Sequence, residues 1–111
     1  GEEKANLVNA VTYGGSTPLM WAAWAGSLDV VKFLISYGAD PKKRNQNGDT
    51  VAHCAAAGGN LELCKYLYEV VGADFKEENK LGRSPLDNAI CHGQREVEEW
   101  IAPVFYSGGG R

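Results

Sequence analysis

Gly15-Ser16-Thr17-Pro18-Leu19-Met20-Trp21-Ala22-Ala23-Trp24-Ala25-Gly26 is the stretch on which the reading of this chain turns. Its first five residues return 33 positions on as Gly48-Asp49-Thr50-Val51-Ala52, and after a further 34 as Gly82-Arg83-Ser84-Pro85-Leu86. Ala22-Ala23 returns as Ala55-Ala56, and Gly26 as Gly59 and Gly93. Gly38-Ala39-Asp40 returns one residue late as Gly72-Ala73-Asp74, which places the extra residue between Leu67 and Gly72, at the end of a helix. Self-similarity at one such period is the mark of a stacked repeat.

Each unit reads as helix, turn, helix, loop. Thr17 before Pro18, and Ser84 before Pro85, are N-cap residues followed by proline at the first helical position. The first helices end near Gly26 and Gly59, and Ser27 and Asn60 are expected to cap the second ones, with Asp29 and Glu62 at the positive end of the helix dipole. Leu28, Val31, Leu34 and Ile35 share one helix face, as do Leu61, Cys64, Leu67 and Tyr68. Gly38 and Gly72 stop these helices, because glycine accepts the left-handed conformation that follows a helix. No such helix buries its apolar stripe alone, whereas three units side by side share a continuous core.

These residues resemble the ankyrin repeat, whose pattern runs G-x-T-P-L-H-x-A-A-x-x-G, then a helix, then G-A-D. Thr17-Pro18-Leu19-Met20-Trp21-Ala22-Ala23 follows it with methionine for histidine, Thr50-Val51-Ala52-His53-Cys54-Ala55-Ala56 keeps the histidine and lacks the proline, and Ser84-Pro85-Leu86-Asp87-Asn88-Ala89 carries aspartate there. The resemblance covers roughly residues 5 to 102. It implies an all-α solenoid of stacked helix-turn-helix units with projecting hairpin-like loops. The expected organisation is the end of a preceding repeat or an N-terminal cap over residues 1–14, repeats over 15–47 and 48–81, a capping repeat over 82–102 and a flexible tail over 103–111.

The two ends differ. Arg95 and Glu98 stand where the earlier units have Leu28 and Leu61, and Val31 and Cys64, so the last helix is expected to face water as a cap held by Val97, Trp100 and Ile101. Ala5-Asn6-Leu7-Val8-Asn9-Ala10 resembles the segment that ends a repeat, and the first unit lacks polar substitutions on its stacking helices. That face is therefore expected to be covered by upstream repeats or to drive end-to-end self-association.

Composition narrows the functional classes. At 111 residues there is room for one domain, with a net charge of −3, too acidic for a general nucleic-acid binder. No apolar run approaches the ~20 residues of a membrane span. The odd count of three cysteines, Cys54, Cys64 and Cys91, and the acidic start without an apolar signal core fit an intracellular protein, cytoplasmic or nuclear. His53-Cys54 and Cys91-His92 suggest a metal site or a Cys–His dyad, but neighbours on a helix point about 100° apart. Cys54 and Cys64 read instead as small buried hydrophobes and His53 as a histidine bonded to backbone. No metal, cofactor or catalysis is expected. Lys42-Lys43-Arg44 reads as a solvated basic loop tip.

In this family the work is mostly protein recognition, through the loop tips and the exposed face of the first helices. The resemblance therefore implies a protein or peptide partner on the concave and loop face. Its residues would be Tyr13, Ser16 and Trp24, then Gln46, Asn47, Asp49 and Ala57, then Lys80, Leu81, Arg83 and His92. Trp21, before the paired alanines, is expected in the core. Ala57 and Gly58 are expected to leave room for a partner's backbone. The alternative is a structural or regulatory arm of a larger enzyme or multisubunit complex.

Overall fold

Thr17, Thr50 and Ser84 each turn a hydroxyl oxygen back onto the third backbone N–H of the helix they precede, which fixes where each unit begins. The protein is described by a computed structural model over residues 13–106. Its helices are α1 (Pro18–Ala25), α2 (Leu28–Ser36), α3 (Val51–Gly58), α4 (Leu61–Tyr66), α5 (Pro85–Cys91) and α6 (Arg95–Tyr106), with no strand among the described residues. A short 3-10 turn, Tyr13–Gly15, precedes them. The architecture is the all-helical stack expected of the sequence.

The three caps solve one problem with different chemistry. In α3, Thr50 N–H donates to His53 Nδ1 at 3.1 Å while His53 N–H donates to Thr50 Oγ1 at 3.4 Å, a reciprocal pair. In α5, Asp87 takes the histidine's part, accepting from Ser84 N–H at 3.0 Å. In α1 the buried Met20 offers no such acceptor, and Thr17 accepts alone at 3.3 Å. Ser27 occupies the N-cap position of α2, but its side chain makes no capping bond, contrary to expectation. Asn60 does cap α4, accepting from Leu63 N–H at 3.0 Å and donating to the Gly26 carbonyl of the unit before at 2.9 Å. Gln94 repeats that link one unit on, donating to the Ala57 carbonyl at 2.8 Å.

The first helices pack along one another, α1 on α3 and α3 on α5, through Ala22, Ala23, Ala55, Ala56 and Ala89, all buried. Small side chains let these backbones approach closely. The second helices form the other layer, with Val31, Leu63, Cys64, Leu67, Val97 and Ile101 in the core. Phe75, fully buried, and Tyr68 meet Trp100 edge-on at centroid distances of 5.5 and 5.8 Å, which pins α6 to the stack. The extra residue of the middle unit is absorbed where α4 runs on into a π-helix, Leu67–Val71, closed by Gly72.

Burial grades along the stack. Leu34, expected in mid-core, is half-buried, whereas its counterparts Leu67 and Ile101 are fully buried. Arg44 is no mere solvated charge. Its guanidinium donates to the carbonyls of Gly48 and Glu78 at 2.8 and 3.1 Å and pairs with Glu77 at 2.9 Å, tying two loops together.

Candidate functional site

The hairpin-like loops are built by two asparagines that sequence reasoning missed. Asn45 Oδ1 accepts from the N–H groups of Asn47 and Asp49 at 2.9 and 3.0 Å, and Asn79 Oδ1 does the same for Leu81 and Arg83. Their amide groups reach back one unit, Asn45 to Ser16 Oγ at 3.3 Å and Asn79 to Asp49 Oδ1 at 2.8 Å. Both stand three residues before a loop glycine, Gly48 and Gly82, and that recurrence was the available signal. Among the described residues, one main-chain bond joins each loop to the one before: Gln46 N–H to the Gly14 carbonyl at 2.7 Å, and Lys80 N–H to the Asn47 carbonyl at 2.9 Å.

This scaffold spreads the expected residues unevenly. Gln46, Asn47, Lys80, Leu81, Arg83 and His92 are exposed, while Ser16 and Asp49 are half-buried in the asparagine bonds. Tyr13 lies at the edge of the described residues, and its side chain is outside them. Ala57 is a correction, being buried at 7%. Gly58 next to it offers no room for a guest, because a Cβ there would overlap the Trp24 carbonyl oxygen. The small residues serve the approach of α1 and α3.

Trp21 is the second correction. It is 50% exposed, beside Trp24 at 54%. An alanine-lined helix contact has no volume for an indole, so the ring turns outward. Trp21 and Trp24, three apart on α1, lie on neighbouring turns of one face. With Met20, Ser16 and Cys54 they line a cleft of about 120 Å³. Cys54 is thus half-buried at a cleft wall rather than sealed in the core. Burial, and then the charge of Asp49, push its thiol up to about 12. Burial alone does the same for Cys64. Neither is a ready nucleophile, since the thiolate is the reactive form.

The other end of the surface is cationic, and its backbone is held firmly. His53, fully buried, accepts at Nδ1, so Nε2 carries the proton and donates to the Arg83 carbonyl at 2.8 Å. His92 Nδ1–H donates to the Asn88 carbonyl at 2.9 Å, which leaves Nε2 for a guest. Among the described residues, neither Lys80 nor Arg83 enters an ion pair. A larger cleft of about 280 Å³ lies elsewhere, lined by Pro41, Lys42, Val51, Val71, Asp74 and Glu77 among others. Its carboxylates are already engaged, Glu77 with Arg44 and Asp74 with the Lys76 N–H at 2.8 Å, and the smaller cleft is the more apolar of the two. Among the described residues no cluster of His, Cys, Asp or Glu is arranged to hold a metal, and no helix is long and apolar enough to cross a membrane.

Residues 2–45 and 19–105 match the family model for ankyrin repeats. The chain is 36% identical over 92 residues to the inactive serine/threonine-protein kinase TEX14 of Bos taurus, covering 83% of this chain and 6% of that protein. It is 39% identical over 98 residues to ankyrin repeat and SAM domain-containing protein 6 of Rattus norvegicus, covering 87% and 11%. It is 30% identical over 93 residues to the probable palmitoyltransferase AKR2 of Saccharomyces uvarum, covering 83% and 12%. The chain therefore spans about an eighth or less of these relatives' lengths.

Proposed function

The chain belongs to the ankyrin-repeat family, and from that premise we propose that its concave surface binds an extended segment of a partner protein. An apolar side chain of the segment sits between Trp21 and Trp24, and an acidic one lies near Lys80, Arg83 and His92. Ankyrin repeats generally act as interaction modules rather than catalysts. The observation that carries the reading is the pair of half-exposed indoles around an apolar cleft. Tryptophan is enriched among the few residues that dominate binding energy. The net charge of −3 disfavours a nucleic-acid partner. Free thiols at Cys54, Cys64 and Cys91 suit a reducing compartment, cytoplasmic or nuclear.

A second reading, a regulatory or structural arm, is favoured by the small share of each relative that the chain spans. It is compatible with the first, because an arm also works by binding. The test is selection of peptides from a displayed random library, followed by titration of the best binder. Trp24→Ala is expected to weaken binding by about 2 kcal/mol or more, roughly thirtyfold, with a smaller effect on folding than a core truncation. Arg83→Glu should slow association in a salt-dependent way, and Lys43→Ala should change little. Parental affinity in Trp24→Ala would move the site away from this cleft.

A further inference from the structure

Asn47-Gly48 is the chain's single Asn-Gly pair. The same two places hold Gly14-Gly15 in the first unit and Leu81-Gly82 in the third, so only the middle loop sets a side-chain amide before the glycine. The fold itself calls for that glycine. Gly48 is buried with a φ of 79°, and a Cβ there would lie 2.9 Å from Lys80 N. Glycine is also the residue that least obstructs its own backbone nitrogen. Asn47 is exposed, and among the described residues no hydrogen bond engages its side-chain amide.

We propose that Asn47 is a site of self-modification, timed by opening of the seam between the second and third units. The Gly48 backbone nitrogen, on losing its proton, attacks Cγ of the Asn47 amide. A bond forms from that nitrogen to Cγ, the Cγ–Nδ2 bond breaks, and Nδ2 leaves as ammonia, taking up the proton. Water then opens the five-membered imide at either carbonyl, leaving aspartate or isoaspartate at position 47. Nothing is oxidised or reduced.

The folded loop opposes both the loss of the proton and the turn that closes the ring. Gly48 N–H donates to the Asn45 carbonyl at 2.9 Å, which holds its proton. The Asn47 carbonyl accepts from Lys80 N–H at 2.9 Å, which keeps the peptide from turning toward Cγ. Arg44 fixes the far side of Gly48, donating to its carbonyl at 2.8 Å, and Asn79 braces the loop that carries Lys80. Ring closure therefore waits for the seam to open. Isoaspartate, once made, keeps it open. The main chain then runs through Cγ and is longer by one carbon, and the carbonyl that met Lys80 N–H becomes a free carboxylate off the main chain.

The test follows position 47 by peptide mapping and isoaspartyl methyltransferase labelling after digestion, in folded and guanidinium-unfolded chains held at the same mildly alkaline pH. The unfolded chain is expected to convert at Asn47 ahead of the six other asparagines. The folded chain should convert at the same place at least about tenfold more slowly. Asn79→Ala, which cuts the brace without touching the reacting pair, should raise the folded rate at least about threefold and leave the unfolded rate alone. Arg44→Ala, at an exposed side chain, should act in the same sense, and it decides if Asn79→Ala does not fold. In the isoaspartate product exchange of the Lys80 amide should quicken, whereas Asn47→Asp, with the carbonyl in place, should keep it slow. Conversion as fast in the folded chain as in the unfolded one would overturn the proposal, as would earlier conversion at another asparagine. So would a folded rate, or an absence of conversion, that neither loosening variant changes, and so would equal Lys80 exchange in the isoaspartate and parent chains.

Discussion

Gly58 invites a substitution whose sign can be worked out before it is made. It lies within α3 without a positive φ, so Gly58→Ala on helix propensity alone should stabilise by about 1 kcal/mol. The neighbour reverses this. The new Cβ would overlap the Trp24 carbonyl oxygen and sit 2.9 Å from its carbon, against 3.4–4 Å for ordinary contact. Backbone cannot swing aside as a side chain does, so the C-terminal ends of α1 and α3 must part. Overpacking of this kind costs about 1–3 kcal/mol. The nearby bond from Asn60 to the Gly26 carbonyl, 2.9 Å long, would stretch with it and forfeit up to about 1 kcal/mol more. The expected net is a loss of about 0–3 kcal/mol, read as a lower urea midpoint at constant slope. Peptide affinity should fall as well, because Trp24 moves with its carbonyl. Ala25, the counterpart of Gly58 in the first unit, is exposed, and Ala25→Gly should lose only the propensity, about 0.5–1 kcal/mol. A Gly58→Ala protein more stable than its parent would refute the close approach of these helices.

Leu67→Ala, at a fully buried position, should cost about 2–5 kcal/mol, and Leu34→Ala, half-buried, clearly less; paired urea titrations check the order, and equal losses would contradict the graded burial. A thiol reagent at neutral pH should label Cys91 first, Cys54 slowly and Cys64 only as the chain unfolds, as followed by mass spectrometry. Because Cys54 and Cys64 are raised from 9.0 to about 12, the folded chain keeps two protons that the unfolded chain releases in between. Their contribution is full below about pH 9 and is lost as pH climbs toward 12, at up to about 1.4 kcal/mol per pH unit per thiol. Cys64→Val should flatten that decline, and an unaltered alkaline profile would show that Cys64 is not the source.

The repeat was legible because the residues that punctuate it act locally. Thr17, Ser84, Gly26 and Gly59 do their work within one turn of chain, so spacing alone places them. What stayed hidden depends on the neighbouring unit. Trp21 reads as core until the narrowness of the alanine contact is seen, and Ala57 reads as open until it is found buried, with the Gln94 amide on its carbonyl. Arg44 reads as a solvated cation until its own loop supplies the Gly48 carbonyl and the next loop the Glu78 carbonyl and the Glu77 carboxylate. Ser27 shows the reverse error, a good capping residue in the right place whose hydroxyl makes no capping bond. Of the groove, the exposed loop positions were readable from the repeat frame, and the partnership of Trp21 with Trp24 was not.

The loop-to-loop bonds have a mechanical meaning. At each junction a main-chain hydrogen bond, from Gln46 N–H to the Gly14 carbonyl and then from Lys80 N–H to the Asn47 carbonyl, is added to the side-chain bonds of Asn45, Asn60, Asn79 and Gln94 and to a layer of packed side chains. In a stack whose units touch chiefly their neighbours, a pull along the axis passes through these junctions in series. Every junction then feels the same force, and their small extensions add. Such a chain yields at its weakest seam while the remaining seams stay shut, and it recovers by reclosing that seam. Under such a load the molecule is expected to extend along the stack one seam at a time.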